Sequence, residues 1–198
     1  MSWDDRYAED GFLFGTEPAA FLVDQKAYLT RGLTALAIGD GEGRNSVYMA
    51  EQGLEVTAMD ASEVGLEKAR MLAAVRSAQV RYHLGDVADW DWDAKEYDLV
   101  VAIFIQFAGP DLRREVFAGM KRALKTGGRL LLHGYSPEQV ALGTGGPPHI
   151  ENMYTEEILR EAFGDMKIER LVSYEAEIDE GPGHSGLSAL IDLVARKI

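Results

Sequence analysis

Cysteine is absent from the 198 residues, which removes disulfides, thiolate metal sites and cysteine nucleophiles in one step and leaves the redox compartment undecided. Basic residues are scarce beside acidic ones, 20 Lys and Arg against 33 Asp and Glu, for a net charge of −13. A nucleic-acid backbone is therefore a poor partner, since phosphate contacts need clustered Lys and Arg. A neutral or cationic small ligand suits this charge, and so does a purely solubilising role. Long apolar runs are missing too. The longest, Leu99–Ile105, is far too short to span a bilayer, and the opening Met1-Ser2-Trp3-Asp4-Asp5 has neither the basic nor the apolar region of a secretory signal. A cytoplasmic, soluble protein is expected, with no membrane or nucleic-acid partner. No metal site is read, and the oligomeric state is not legible.

Against these absences stand 21 glycines and an ordinary hydrophobic share of 46%, enough for a full sheet-and-helix core in a chain of this length. A single domain over residues 1–198 is expected. Residues Trp3–Thr16 carry Trp3, Tyr7, Phe12 and Phe14 without a clear period. Glu17-Pro18 opens a helix through about Leu29, with Phe21, Leu22 and Leu29 as its apolar face. Residues 1–30 thus read as a brace on the core or a cover over a ligand. From Leu33 strand and helix alternate. Strands are expected over Leu33–Ile38, Glu55–Met59, Val80–Leu84, Tyr97–Ile105 and Arg129–His133. The helix after Arg44 should turn Val47, Tyr48 and Ala50 inward. The next is capped by Ser62 and runs to about Arg76, and another runs from Pro110 through Leu124 and is stopped by Gly127-Gly128. A Gly/Pro-rich loop within residues 135–153 is a candidate lid. Thr155 caps a short helix ending at Gly164, and strands over Lys167–Ile178 and Leu187–Ala195 close the chain. Repeated strand–helix units predict a doubly wound α/β sheet, mostly parallel, with helices on both faces and an antiparallel terminal pair.

The organising stretch is Leu33–Asn45, an apolar strand running into Gly39, Gly41 and Gly43 and then a helix. Such a turn brings backbone close to a ligand. In a doubly wound sheet, ligands sit beyond the carboxyl ends of the strands. The residues there are Gly39–Arg44, Asp60, Asp86, Ile103–Gln106 and His133–Ser136. Asp60 lies about twenty residues past the turn, the spacing of a ribose-binding carboxylate. Asp86 is placed to receive an adenine amine, with Val87 and Trp90 offering apolar surface. Either aspartate also reads as a helix cap or turn residue. The nicotinamide fingerprint wants glycine where Arg44 stands, and the spacing Gly-x-Gly-x-Gly suits a ligand with no phosphate at the turn.

These motifs, Ala37-Ile-Gly-Asp-Gly-Glu-Gly-Arg-Asn, Val56-Thr-Ala-Met-Asp-Ala-Ser, Gly85-Asp-Val and Tyr97-Asp-Leu-Val-Val, resemble those of class I S-adenosylmethionine-dependent methyltransferases. The opening Trp3-Asp-Asp-Arg-Tyr with Gly15-Thr-Glu-Pro, and the small size, resemble the tellurite-resistance and thiopurine-type branch, the tellurite one more nearly. The resemblance implies a Rossmann-like sheet of seven strands with the seventh reversed, and S-adenosylmethionine as methyl donor with S-adenosylhomocysteine as product. It implies that Gly39, Gly41 and Gly43, with Arg44, pass beneath the methionine part, Asp60 with Ala61 holds the ribose, and Asp86 with Val87 meets the adenine, Ile103 lying nearby. An acidic residue is common two positions before the first glycine, where this chain has Ala37. Asp40 and Glu42 are the residues expected to meet the cofactor's amino group instead.

A sulfonium methyl is already electrophilic, so alignment and exclusion of water are the main tasks, and a base is required only when the acceptor loses a proton. Candidates to shape the acceptor site are His133, Tyr135, His149 and His184, the last matching a histidine in the tellurite-type relatives. His83, mid-strand, reads as a packed or surface residue, and Arg113 and Arg114 as solvated. The leading expectation is a small-molecule methyltransferase acting on a soft nucleophile such as a thiol or chalcogen oxyanion. A protein or amine methyltransferase, and a module that binds the cofactor without transferring methyl, stay open. An oxidoreductase comes last, because no Tyr-x-x-x-Lys pair follows the fourth strand.

Overall fold

The structure, a computed structural model, describes residues 2–198. Its strands are β1 Thr34–Ile38, β2 Glu55–Asp60, β3 Val80–Leu84, β4 Tyr97–Ile103, β5 Leu124–Tyr135, β6 Lys167–Asp179 and β7 Ser185–Arg196. They form one seven-stranded sheet in the order β3-β2-β1-β4-β5-β7-β6. β1, β2 and β3 are parallel, as are β4 and β5, while β7 runs antiparallel to both its neighbours. This is the mixed, Rossmann-like sheet with a reversed last strand that the sequence predicts. β1 and β4 are nearly continuous apolar runs because almost every residue in them is buried, the mark of strands covered on both faces.

By contacts the chain falls into two compact units, one of residues up to Trp90 with Glu180–Gly183, the other of Asp91–Asp179 with His184–Ile198. In the first, α3 (Arg44–Glu51) and α4 (Glu63–Val75) connect the strands. Leu66, Ala69, Leu72 and Ala73 of α4 are buried at helical spacing, each leucine contributing about 1.5–3 kcal/mol by its removal from water. Ser62 caps this helix as predicted, its hydroxyl accepting the Gly65 N–H at 3.0 Å. The inward face of α3 is Ser46, Val47 and Met49, with Tyr48 and Ala50 only partly buried.

Residues Trp3–Thr16, without a legible period, begin with the short helix α1 (Trp3–Tyr7). A capping box holds it: the Ser2 N–H donates to Asp5 Oδ2 at 2.8 Å and the Asp5 N–H to Ser2 Oγ at 3.1 Å. The helix expected from Pro18 to Leu29 is broken into α2 (Ala20–Asp24) and a 3-10 turn at Lys26–Tyr28. Its three apolar residues Phe21, Leu22 and Leu29 are buried all the same.

In the second unit α5 (Pro110–Arg122) ends before Leu124, which already belongs to β5. Gly127-Gly128 therefore lies within β5, its backbone paired with Lys197 at 2.8 and 2.9 Å, and does not stop the helix. The predicted β4 is two residues too long, since Phe104 turns to a positive φ of 57°. The loop after β5 contains α6 (Gln139–Leu142) and a 3-10 turn at Ile150–Asn152 before α7 (Glu156–Phe163), which Thr155 caps. Arg113, expected in solvent, is buried. It donates to the carbonyls of Glu151 at 2.7 Å and Met153 at 3.4 Å, tying down the end of that loop. No helix among the described residues is long and apolar enough to cross a membrane.

Candidate functional site

β1 delivers a buried Ile38 into the turn, where Gly39, Gly41 and Gly43 take φ values of 59°, 58° and 92°. Two of these glycines are required by space as well as by backbone. A Cβ on Gly41 would stand 2.6 Å from the Tyr7 hydroxyl, and one on Gly43 would stand 2.7 Å from Ala69 Cβ. The N-terminal segment is thus packed directly against the turn. Glu42 accepts the Leu13 N–H at 2.7 Å and the Lys68 ammonium at 3.0 Å, and Lys68 also donates to the carbonyls of Glu9 and Gly11. The Ser62 hydroxyl donates to Asp4 at 2.5 Å.

Asp60 ends β2 with its carboxylate buried. Oδ2 accepts the Gly41 N–H at 2.7 Å and Oδ1 the Ser62 N–H at 2.8 Å. Burial pushes its carboxyl above the usual range, and these backbone donors hold it partly back. Tyr7 is also buried, and burial with the nearby charges of Asp60 and Glu42 raises its phenol well above the ordinary value. Asp40 turns into the start of α3, accepting the Ser46 N–H at 3.2 Å and the Ser46 hydroxyl at 2.5 Å. Burial pushes Asp40 up to about 7, against the pull of Ser46. Asp40 and Glu42, expected to meet a cofactor's amino group in place of an acidic residue at Ala37, also hold the turn through these bonds.

Arg44, the departure from the nicotinamide fingerprint, donates to Glu180 at 2.7 Å with both side chains more than nine-tenths buried. Its other terminal nitrogen, Nη1, is buried with no hydrogen-bond partner among the described residues. Beyond β3, the exposed Asp86 accepts the Ala88 N–H at 2.9 Å beside a buried Val87. Trp90 lies edge-on to His83, ring centres 5.9 Å apart. His83 is exposed on β3, as a surface residue, and Ala61 is exposed after β2.

In the second unit the ends of β4 and β5 meet residues from the β6–β7 hairpin. Ile103 closes β4 opposite His133. The Phe104 ring lies 4.8 Å from His133, 4.7 Å from Tyr135 and 4.2 Å from His184, centre to centre. Three of the four acceptor-site candidates, separated by fifty residues of chain, are thereby brought together, and all three are buried. The fourth is not among them: His149 is exposed, its nearest charged partner Glu151 at 3.8 Å. Gln106, buried, clamps the end of β5 by accepting the Tyr135 N–H at 2.6 Å and donating to the Tyr135 carbonyl at 2.7 Å. His133 Nδ1 lies 2.8 Å from Asp192, which also receives Arg170 at 2.9 Å and the Tyr174 hydroxyl at 3.2 Å.

Lys68, Glu180 and Asp192 are not legible as site residues in the sequence, Gln106 only as one of the strand-end positions and Tyr7 only as an aromatic of the N-terminal cover. Asp192 leaves a trace, as the single charge inside the apolar run of β7 before Arg196.

A family profile described as a methyltransferase domain matches residues 35–128. Comparison with curated proteins by sequence returns no match. Among solved structures, one from work on the conversion of a disulfide bond into a thioacetal group during echinomycin biosynthesis superposes with a TM-score of 0.76 at 21% identity, over 98% of this chain and 91% of that one. TehB from Haemophilus influenzae superposes at 0.73 with 20% identity, over 99% of this chain and 66% of that one. The magnesium protoporphyrin IX methyltransferase ChlM from Synechocystis PCC 6803 with bound S-adenosylmethionine gives 0.67 at 18% identity, over 90% of this chain and 76% of that one.

Proposed function

We propose that this chain, in which a methyltransferase-domain profile matches residues 35–128, is a class I S-adenosylmethionine-dependent methyltransferase whose acceptor is a small molecule with a soft nucleophile, a thiol or a chalcogen oxyanion, received at the cluster around Phe104. Bound S-adenosylmethionine supplies a methyl group already activated on a sulfonium. The protein's part is to hold the donor, align the acceptor and keep water away.

The residues of the first unit fit that donor. The two oxygens of Asp60 retain acceptor capacity beyond the bonds from Gly41 and Ser62, which suits the two ribose hydroxyls. The partnerless Nη1 of Arg44 suits the carboxylate of the methionine part, and a buried orphan donor of this kind costs free energy until it is met. Asp86, Val87 and Trp90 offer an acceptor and apolar surface to adenine, with Ala61 next to Asp60 in the chain. Gly39, Gly41 and Gly43 give the backbone path below the methionine part, with Asp40 and Glu42 as its struts.

The observation that carries the acceptor reading is Phe104. It is held in a left-handed conformation that a bulky residue rarely adopts, at a cost of about 1–3 kcal/mol, and its ring joins His133, Tyr135 and His184. Tyr135 continues into a patch with Met153 and Leu190. Aromatic rings and a thioether make a polarizable surface that suits sulfur or selenium. One structural relative comes from work on the conversion of a disulfide bond into a thioacetal group, which supports a sulfur acceptor. The loop 135–153 is proposed as the lid, since Gly146 packs against the Tyr135 ring so closely that a Cβ would stand 2.7 Å from it.

Calorimetric titration with S-adenosylmethionine tests the donor, and absence of binding at about 1 mM ligand overturns the reading. Release of S-adenosylhomocysteine with selenite, tellurite or small thiols tests the acceptor. Transfer confined to basic peptides overturns the small-molecule reading.

A further inference from the structure

Packing accounts for the ring of Tyr7 but not for its hydroxyl. Tyr7 ends α1 and is 4% exposed. Its ring stacks on Trp3 at 5.4 Å between centres, meets Phe14 edge-on at 6.3 Å, and lies where a Cβ on Gly65 would stand 3.0 Å from it. The segment that carries it is fastened within the same unit by Asp4 on Ser62, by Lys68 on the carbonyls of Glu9 and Gly11, and by the Leu13 N–H on Glu42. This mounting sets the phenol oxygen against the middle of the glycine turn, 2.6 Å from the place of a Gly41 Cβ. The hydroxyl makes no hydrogen bond among the described residues. Phenylalanine would fill the space as well, and a buried hydroxyl without a partner costs free energy.

Asp60 touches the same glycine, its Oδ2 accepting the Gly41 N–H at 2.7 Å. Burial and the charges of Asp60 and Glu42 hold the phenol protonated, so it keeps a hydrogen to give. A carboxylate can only accept. A ligand group that satisfies both must donate to Asp60 and accept from Tyr7. An ammonium cannot accept and a carboxylate cannot donate, whereas a hydroxyl does both. We infer that Tyr7 and Asp60 together bind one ribose hydroxyl of the methyl donor, which gives its hydrogen to Asp60 and accepts that of Tyr7. This rests on the donor reading proposed above, and it makes the N-terminal segment part of the donor site.

Tyr7→Phe removes one oxygen and keeps the contacts of the ring. Because that oxygen has no partner in the free protein, the urea midpoint of the variant without ligand should equal or exceed that of the wild type. Its affinity for S-adenosylhomocysteine, read by calorimetry on the full chain, should fall about 10-fold. Two analogues, 2′-deoxy and 3′-deoxy S-adenosylhomocysteine, identify the group that Tyr7 meets. Against the one that lacks the shared hydroxyl, Tyr7→Phe and the wild type should bind alike, and against the other the deficit of about 10-fold should persist. Unchanged affinity of Tyr7→Phe for S-adenosylhomocysteine overturns the inference. A deficit that persists with both analogues does so too, since Tyr7 then meets some other group. So does a lower urea midpoint without ligand, which would mean that the hydroxyl is bonded within the protein. Failure of the wild type to bind S-adenosylhomocysteine at about 1 mM would instead overturn the donor reading, and the inference with it.

Discussion

The carboxylate of Asp60 accepts the backbone N–H of Gly41 across 2.7 Å, joining the end of β2 to the middle of the glycine turn. The turn is therefore shaped by the residue proposed to hold the ribose. A ligand pays less ordering cost at a turn already fixed in this way.

Asp60→Ala should separate those two roles. Removing the carboxylate leaves the buried N–H groups of Gly41 and Ser62 without their acceptor, at about 1–3 kcal/mol each where water cannot replace it. It also removes the charged acceptor for two hydroxyls, each such bond contributing about 1.5–3 kcal/mol. The expected result is a lower urea midpoint together with S-adenosylmethionine affinity weakened by about 100-fold or more. A less stable variant with unchanged affinity, read by calorimetry, would make Asp60 a strut of the turn and nothing else.

Asp40 predicts an unusual pH dependence of stability. Burial places its carboxyl at about 7 in the folded chain against 3.8 ordinarily. Between those values the folded chain keeps a proton that the unfolded chain has released, so stability falls as pH rises through this window. The full effect is on the order of 4 kcal/mol. Thermal melts from pH 4 to pH 8 should show this loss above any background from other groups. In Asp40→Asn the amide oxygen still accepts the Ser46 N–H while the amide NH2 donates to the Ser46 hydroxyl, and the loss should shrink or vanish. A variant whose melting temperature follows the wild type at every pH would show that Asp40 does not carry the effect.

The parts legible in the sequence were those governed by period and local chemistry. The seven strands and the caps at Ser62 and Thr155 follow from alternation and from hydroxyls placed before apolar runs. Gly39–Gly43, Asp60 and Asp86 are legible as turn and strand-end residues because their spacing is local to a strand and its turn. The misplaced features depend on contacts far along the chain. Gly127-Gly128 reads as a helix stop, yet pairing with Lys197 draws it into β5. Arg113 reads as solvated, but its partners are carbonyls 38 and 40 residues away. The bonds of Asp40 to Ser46 and of Glu42 to Lys68 are likewise not legible in the sequence. His133, Tyr135 and His184 were each visible as strand-end or hairpin residues, but not the ring that joins them.

That ring offers the most direct check on the acceptor cluster. Phe104 follows β4 at a φ of 57°, held there while its N–H donates to the His133 carbonyl at 2.9 Å. Phe104→Ala and Phe104→Gly both delete the ring, so each loses the same contacts with His133, Tyr135 and His184. They differ in the backbone. Alanine keeps a Cβ that is unfavourable at positive φ by about 1–2 kcal/mol, whereas glycine adopts that conformation freely but gives up more entropy on folding, roughly 0.5–1 kcal/mol. The strain is the larger quantity, so Phe104→Gly should be the more stable of the two by up to about 1 kcal/mol, the reverse of the order at an ordinary strand position. Urea unfolding of the pair measures this difference without reference to any substrate. Should alanine prove the more stable, Phe104 is not held left-handed in solution, and its ring is not fixed against the two histidines as the acceptor reading requires.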